Sequence, residues 1–219
     1  MKCWYNLNID NSLAMVSEAN SIESIHNILG FYDNTPLQNC ILYSTELTKI
    51  VRQEWLDYMK SINLEIICCL VFSRTVIPTS ESDVAHKDCV KSQKTHPISI
   101  NWTIGGDGDP MVWFDEPNFV GVERLLSLHP DCSFFYTAYQ ENLLNEIDRY
   151  IIGTTPTLVR TDIPHSIHVT QSPRISFSFR TKQRFVTWSD QIDFLTNYLV
   201  LPPGLEPGTP GSSDRCSTR

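Results

Sequence analysis

The chain has 219 residues and a mass of 25.1 kDa, room for one sizeable domain. Hydrophobic residues make up 41% and charged residues 19%, a balance that fits a globular protein and argues against a disordered one. With Lys+Arg 17 and Asp+Glu 25 the net charge is -8, so a non-specific grip on nucleic-acid phosphates is not expected.

No apolar run approaches the roughly 18 residues that a membrane span needs. Met1 to Asp10 carries no basic segment followed by an apolar stretch, so no signal peptide is expected. The 7 cysteines include the adjacent pair Cys68-Cys69 and show no Cys-x-x-Cys spacing. That pattern argues for reduced thiols in a cytoplasm rather than zinc knuckles or a disulfide scaffold.

In chain order, Asn20 to Leu29 reads as a short helix with Gly30 as its stop. A longer helix is expected from Ser44 to Ile62, because Leu47, Ile50, Val51, Trp55, Tyr58, Met59 and Ile62 recur at spacings of three and four. Leu64 to Phe72 is nearly continuous apolar sequence, the pattern of a buried strand. Ile98 to Ile104 and Met111 to Phe114 flank a Gly-rich turn (Gly105 to Asp109) and predict a hairpin. Short strands follow at Ser133 to Tyr139 and Pro156 to Thr161, with a helix expected between them at Asn142 to Ile152. Ile175, Phe177 and Phe179 alternate with Ser176, Ser178 and Arg180, the period-two pattern of a half-buried strand. Phe185 to Trp188 is a candidate partner for that strand, and Ser189 a cap for a last helix through Leu199. Pro202 to Arg219 is dominated by Pro, Gly, Ser and Thr and reads as a disordered tail.

Chemistry points to the 6 histidines. Two of them open a His-x-Asp triplet, His86-Lys87-Asp88 and His129-Pro130-Asp131. In an extended segment, residues two apart face the same way, so an imidazole and a carboxylate can converge on one metal ion. Downstream, Pro164-His165 is followed by Arg174 and, two residues on, by Ser176. A third ligand His on one strand with an Arg on the next puts a guanidinium near the metal. That group can hold a carboxylate with two parallel hydrogen bonds, and a serine hydroxyl on the same face can add a third. His168 is a rival to His165, although its offset of three points it to the opposite face of a regular strand. The triplet at His129 follows a Leu-rich segment that reads as helical and has Pro130 at its centre, which favours a turn.

With His86, Asp88, His165, Arg174 and Ser176 in this order, the sequence resembles the iron(II)- and 2-oxoglutarate-dependent oxygenases. The stretch LVRTDIPHSIHVTQSPRISFSFR is most similar to the prolyl and aspartyl/asparaginyl hydroxylase type. The resemblance covers about Leu64 to Arg180. It implies a mainly β fold with flanking helices, a double-stranded β-helix (a jelly-roll, cupin-like barrel). It also implies Fe(II) held by His86, Asp88 and His165, with the far carboxylate of the 2-oxoglutarate co-substrate on Arg174 and Ser176. The 79 residues between His86 and His165 (165 minus 86) then imply an insertion, for which Asn118 to Ile152 is the candidate. The residue completing the co-substrate pocket stays open, with Asn101, Trp102 and Thr103 in the region.

The expected organisation is one oxygenase-like domain over 1–201, with N-terminal helices in 1–63 packed on a core at 64–188, a C-terminal helix at 189–201, and the tail 202–219. Hydroxylation of an unactivated C–H bond, in an amino-acid or peptide side chain, is the implied activity. The expected partners are a small-molecule or peptide substrate, with no nucleic acid and no membrane. The rival is a cupin-like binding protein that keeps the barrel without turnover. Arg180 is expected to face solvent, Asp107 and Asp109 to be turn residues rather than a calcium loop, and Trp102, Trp113 and Phe114 to be barrel wall. Cys89 is read as a passive thiol.

Overall fold

The computed structural model describes residues 2–12, 14–31, 37–74, 84–88, 95–106, 108–129, 132–168 and 173–199. Its strands are β1 (Trp4–Asn6), β2 (Leu37–Tyr43), β3 (Ile66–Arg74), β4 (Val84–Lys87), β5 (His96–Gly105) and β6 (Pro110–Phe114), then β7 (Val122–His129), β8 (Cys132–Gln140), β9 (Glu146–Ile151), β10 (Thr157–Val159), β11 (His165–Ile167) and β12 (Arg174–Phe185). They form two six-stranded sheets, ordered β1-β10-β5-β12-β3-β2 and β7-β8-β4-β11-β6-β9. Every pairing is antiparallel. The mainly β expectation is met as two sheets with a few helices; among the described residues neither sheet closes on itself.

The first sheet is covered on one face by the helices α1 (Ile22–Leu29), α2 (Ser44–Leu47), α3 (Gln53–Ser61) and α4 (Trp188–Leu195). Phe177, Phe179, Trp102, Trp55 and Ile25 share this main core, and burying each such side chain contributes about 1.5–3 kcal/mol. Helix α1 starts at Ser21, whose hydroxyl accepts from the Ser24 amide at 3.1 Å, and stops at Gly30 with φ 68°. Helix α4 is capped by Thr187 rather than Ser189, in a reciprocal box with Asp190 at 3.1 Å both ways.

Five local expectations are corrected. The helix expected over 44–62 breaks between α2 and α3, because the backbone of 50–52 pairs with that of 14–16. Val16 donates to the Ile50 carbonyl at 3.0 Å and Arg52 donates to Ala14 at 2.8 Å. Within 142–152, where a helix is expected, Glu146–Ile151 form strand β9, its backbone paired antiparallel with β6. The Leu-rich segment before His129 is likewise strand β7. Finally, the Gly-rich turn is not a hairpin: β5 lies in the first sheet and β6 in the second, so the turn carries the chain across between them. Phe185 belongs to β12 itself.

The stretch 118–152, the candidate insertion, supplies β7, β8 and β9, half of the second sheet, and β8 pairs directly with β4. No helix among the described residues is long and apolar enough to cross a membrane. The tail 202–219, Cys89, Asp107 and the second triplet's Pro130 and Asp131 lie outside the described residues.

Candidate metal centre

Strands β4 and β11 are neighbours in the second sheet, and His86 and His165 stand directly opposite each other. Such cross-strand pairs bring side chains on one face into contact. The two imidazoles lie with ring centroids 4.4 Å apart at 53°. Asp88, two residues past His86, turns to the same side, with its amide donating to the Thr161 carbonyl at 3.0 Å. Its Oδ1 is 3.4 Å from His86 Nε2 and 3.8 Å from His165 Nε2. One ligand atom from each of the three residues lies within 4.8 Å of the others. Two imidazole nitrogens and one carboxylate oxygen, converging from one side, are a donor set for a single divalent transition metal with open positions opposite.

The surroundings prepare those donors. His165 Nδ1 donates to the Ile163 carbonyl at 2.9 Å; a carbonyl can only accept, so Nε2 keeps its lone pair toward Asp88. Burial pushes His86 down to about 4, with His165 adding to the effect. Burial also lowers His165, against the pull of Asp88. Burial opposes the charge on Asp88, but Arg180 and the two imidazoles outweigh it and hold the carboxyl below its usual range. The site therefore offers two neutral imidazoles and a carboxylate at neutral pH, the protonation states a metal requires. The edge of Tyr136 from β8 stands against His86, centroids 5.9 Å apart.

Of the predicted residues, His86, Asp88 and His165 are brought together. His168 is not: it hydrogen-bonds to Glu141. His129 ends β7, two strands away from β4 in the sheet order. Arg174 and Ser176 sit side by side on β12, Arg174 Nε donating to Ser176 Oγ at 3.0 Å. Arg174 is 2% exposed. Its Nη1 donates to the Asp109 carbonyl at 3.0 Å and lies 3.8 Å from the Asp109 carboxylate. Its Nη2 is buried with no hydrogen-bond partner among the described residues. Burial lowers its pKa to about 10, with Asp109 opposing, so it stays a cation. A buried guanidinium with one N–H edge open is suited to receive an anion.

Two functional residues escape the sequence. Arg180, expected in solvent, is only 6% exposed; its Nη2 donates to Asp88 Oδ2 at 2.5 Å and its Nη1 to Ser99 Oγ. That contact ties β12 of the first sheet to the residue that follows β4 of the second, at the candidate metal centre. Ser99 and Ser178 in turn donate to Asn101 Oδ1 at 3.0 and 2.7 Å. Asp109, read as a plain turn residue, is 0% exposed and faces Arg174. A signal exists for Arg180: Arg174, Ser176, Ser178 and Arg180 alternate with Ile175, Phe177 and Phe179; none marks Asp109. That polar face meets the second sheet at Asp88 rather than water. Trp113 and Phe114 are buried wall of the second sheet, and Trp102 of the first.

Comparison with family models, with curated proteins and with solved structures finds no match to this chain.

Proposed function

We propose that the protein is an Fe(II)- and 2-oxoglutarate-dependent dioxygenase, its two facing sheets a double-stranded β-helix. The observation that carries this reading is the convergence of His86, Asp88 and His165 on one point between the sheets, with the cationic strand β12 alongside. The donor chemistry fits iron: two imidazoles and one carboxylate leave three positions, two for a chelating 2-oxo acid and one for O2. Iron and co-substrate together would supply the oxidising power, O2 and 2-oxoglutarate yielding succinate, CO2 and a hydroxylated C–H bond.

The chain's own part is positioning. His165 is held in one tautomer by Ile163, and Arg180 occupies Asp88 Oδ2 so that Oδ1 faces the imidazoles. Arg174 Nη2 and Ser176 would hold the far carboxylate, fixing how the 2-oxo acid approaches the metal. An amino-acid or peptide side chain is the substrate class proposed, by analogy with the hydroxylases that the sequence resembles.

A second reading is a cupin-like metal or small-molecule binder without turnover. It is favoured by the Asp109 carboxylate 3.8 Å from Arg174 Nη1, an anion where the co-substrate's own would sit nearby. The deciding experiment is succinate formation from 2-oxoglutarate when the anaerobic Fe(II) protein is exposed to O2. Stoichiometric succinate supports the oxygenase; metal and 2-oxoglutarate binding with no succinate leaves the binder.

A further inference from the structure

Asp109 poses an electrostatic problem that a second arginine answers. Asp109 is fully buried beside Arg174, and the two charges cancel. A neutral pair in a low-dielectric interior attracts an incoming carboxylate weakly. Arg74, the last residue of β3, stands directly opposite Arg174 across the β3–β12 ladder, so both side chains leave the same face of the sheet. Arg74 is half-buried, and its charge acts on both Asp109 and Arg174. Two guanidiniums and one carboxylate leave an excess of one positive charge, matched to a single carboxylate.

Resting on the oxygenase reading above, we infer that Arg74 is a further co-substrate-binding residue, the cation that lets a pocket containing Asp109 accept the far carboxylate of a dicarboxylic 2-oxo acid. Arg174 supplies the open hydrogen-bonding edge, and Arg74 supplies the net charge.

The test titrates the anaerobic Fe(II) protein with 2-oxoglutarate, and separately with 2-oxobutanoate, which has the chelating end without the far carboxylate. The metal-to-ligand absorption band is the readout. Arg74→Ala and Arg74→Gln, the latter keeping much of the packing stem, should weaken 2-oxoglutarate about tenfold or more and leave 2-oxobutanoate unchanged. Arg74→Lys should fall between them and wild type. Adding Asp109→Asn to Arg74→Gln restores the charge balance and should recover much of the lost affinity. Equal 2-oxoglutarate affinity in wild type and both neutral variants would overturn the inference, as would equal weakening of both 2-oxo acids, since Arg74 would then act at the metal end. If wild type gives no band with either 2-oxo acid, the oxygenase reading itself fails.

Discussion

Arg180 of the first sheet donates to the carboxylate of Asp88 at 2.5 Å, and Asp88 directly follows β4 of the second. The pair is buried on both sides, 8% and 10% exposed at the side chains. Its partner oxygen is the one turned away from the imidazoles. Arg180 thus orients a candidate metal ligand and keeps it ionised, and we expect Arg180→Ala to weaken Fe(II) or Co(II) binding about 10- to 100-fold, the usual effect of losing a group that orients a ligand. Arg180→Lys should recover part of it. Calorimetric titration of the anaerobic protein measures both, and unchanged affinity in Arg180→Ala would falsify the orienting role.

Metal binding should depend on His86, Asp88 and His165 and not on His129. One ion per chain is expected in wild type, and almost none in His86→Ala or His165→Ala. Asp88→Asn is the better carboxylate variant, because Asp88→Ala strands Arg180 as a buried unpaired charge at a cost of about 3–5 kcal/mol. Retention of the metal by His165→Ala together with its loss in His129→Ala would move the site to the other end of the second sheet.

The metal-free protein should lose stability as pH falls from 6.5 toward 4. In the folded chain His86 takes its proton only near 4, against an ordinary value of 6.5, and His165 is lowered as well. The unfolded chain therefore binds protons first in that window, and protonation favours it. Above 6.5 both states are neutral and the curve is flat. The His86 side chain keeps 35% of its surface open, so water softens its share of the penalty; His165, at 4%, has no such relief. Asp88, lowered from 3.8, adds a further loss as pH falls through and below its ordinary value. Melting temperatures in chelator between pH 7.5 and 4 check the sign. Saturating metal should make the slope steeper, because protons compete for the same nitrogens.

Gly106 leaves no room for a side chain. It holds φ +64°, and a Cβ there would lie 2.8 Å from both Arg174 Cδ and Asp109 Oδ2. Gly106→Ala should cost about 1–2 kcal/mol in left-handed backbone strain alone and push Arg174 out of register. The expected outcome is normal Fe(II) stoichiometry with weakened 2-oxoglutarate binding. An affinity equal to wild type would show that Arg174 accommodates the methyl group without losing its ligand.

Arg174→Ala should retain the metal and weaken 2-oxoglutarate more than Ser176→Ala does, which removes one neutral hydroxyl at about 1 kcal/mol. The same absorption titration ranks them. A larger effect at Ser176 than at Arg174 would be incompatible with Arg174 as the carboxylate anchor.

Sequence alone determined what depends on local periodicity and spacing. The alternation of β12, the apolar run of β3, helix α1, and His86 with Asp88 as a converging pair were legible, because side chains two apart share a strand face whatever the strand later meets; His165 joined them as a candidate ligand through the family resemblance, not through local spacing. Tertiary structure decided what covers each face. The polar side of β12 faces the second sheet, so Arg180 is a buried partner of Asp88 and not a solvated surface charge. Residues 146–151 are a strand because β6 offers them an edge, and the Gly-rich turn crosses between sheets because β5 and β6 find different neighbours. Likewise β11, far along the chain, lies beside β4 rather than β7, which selects the triplet at His86 over the one at His129. Periodicity records only that a segment has two sides; contacts between residues distant in sequence determine which side meets water, a helix or another sheet.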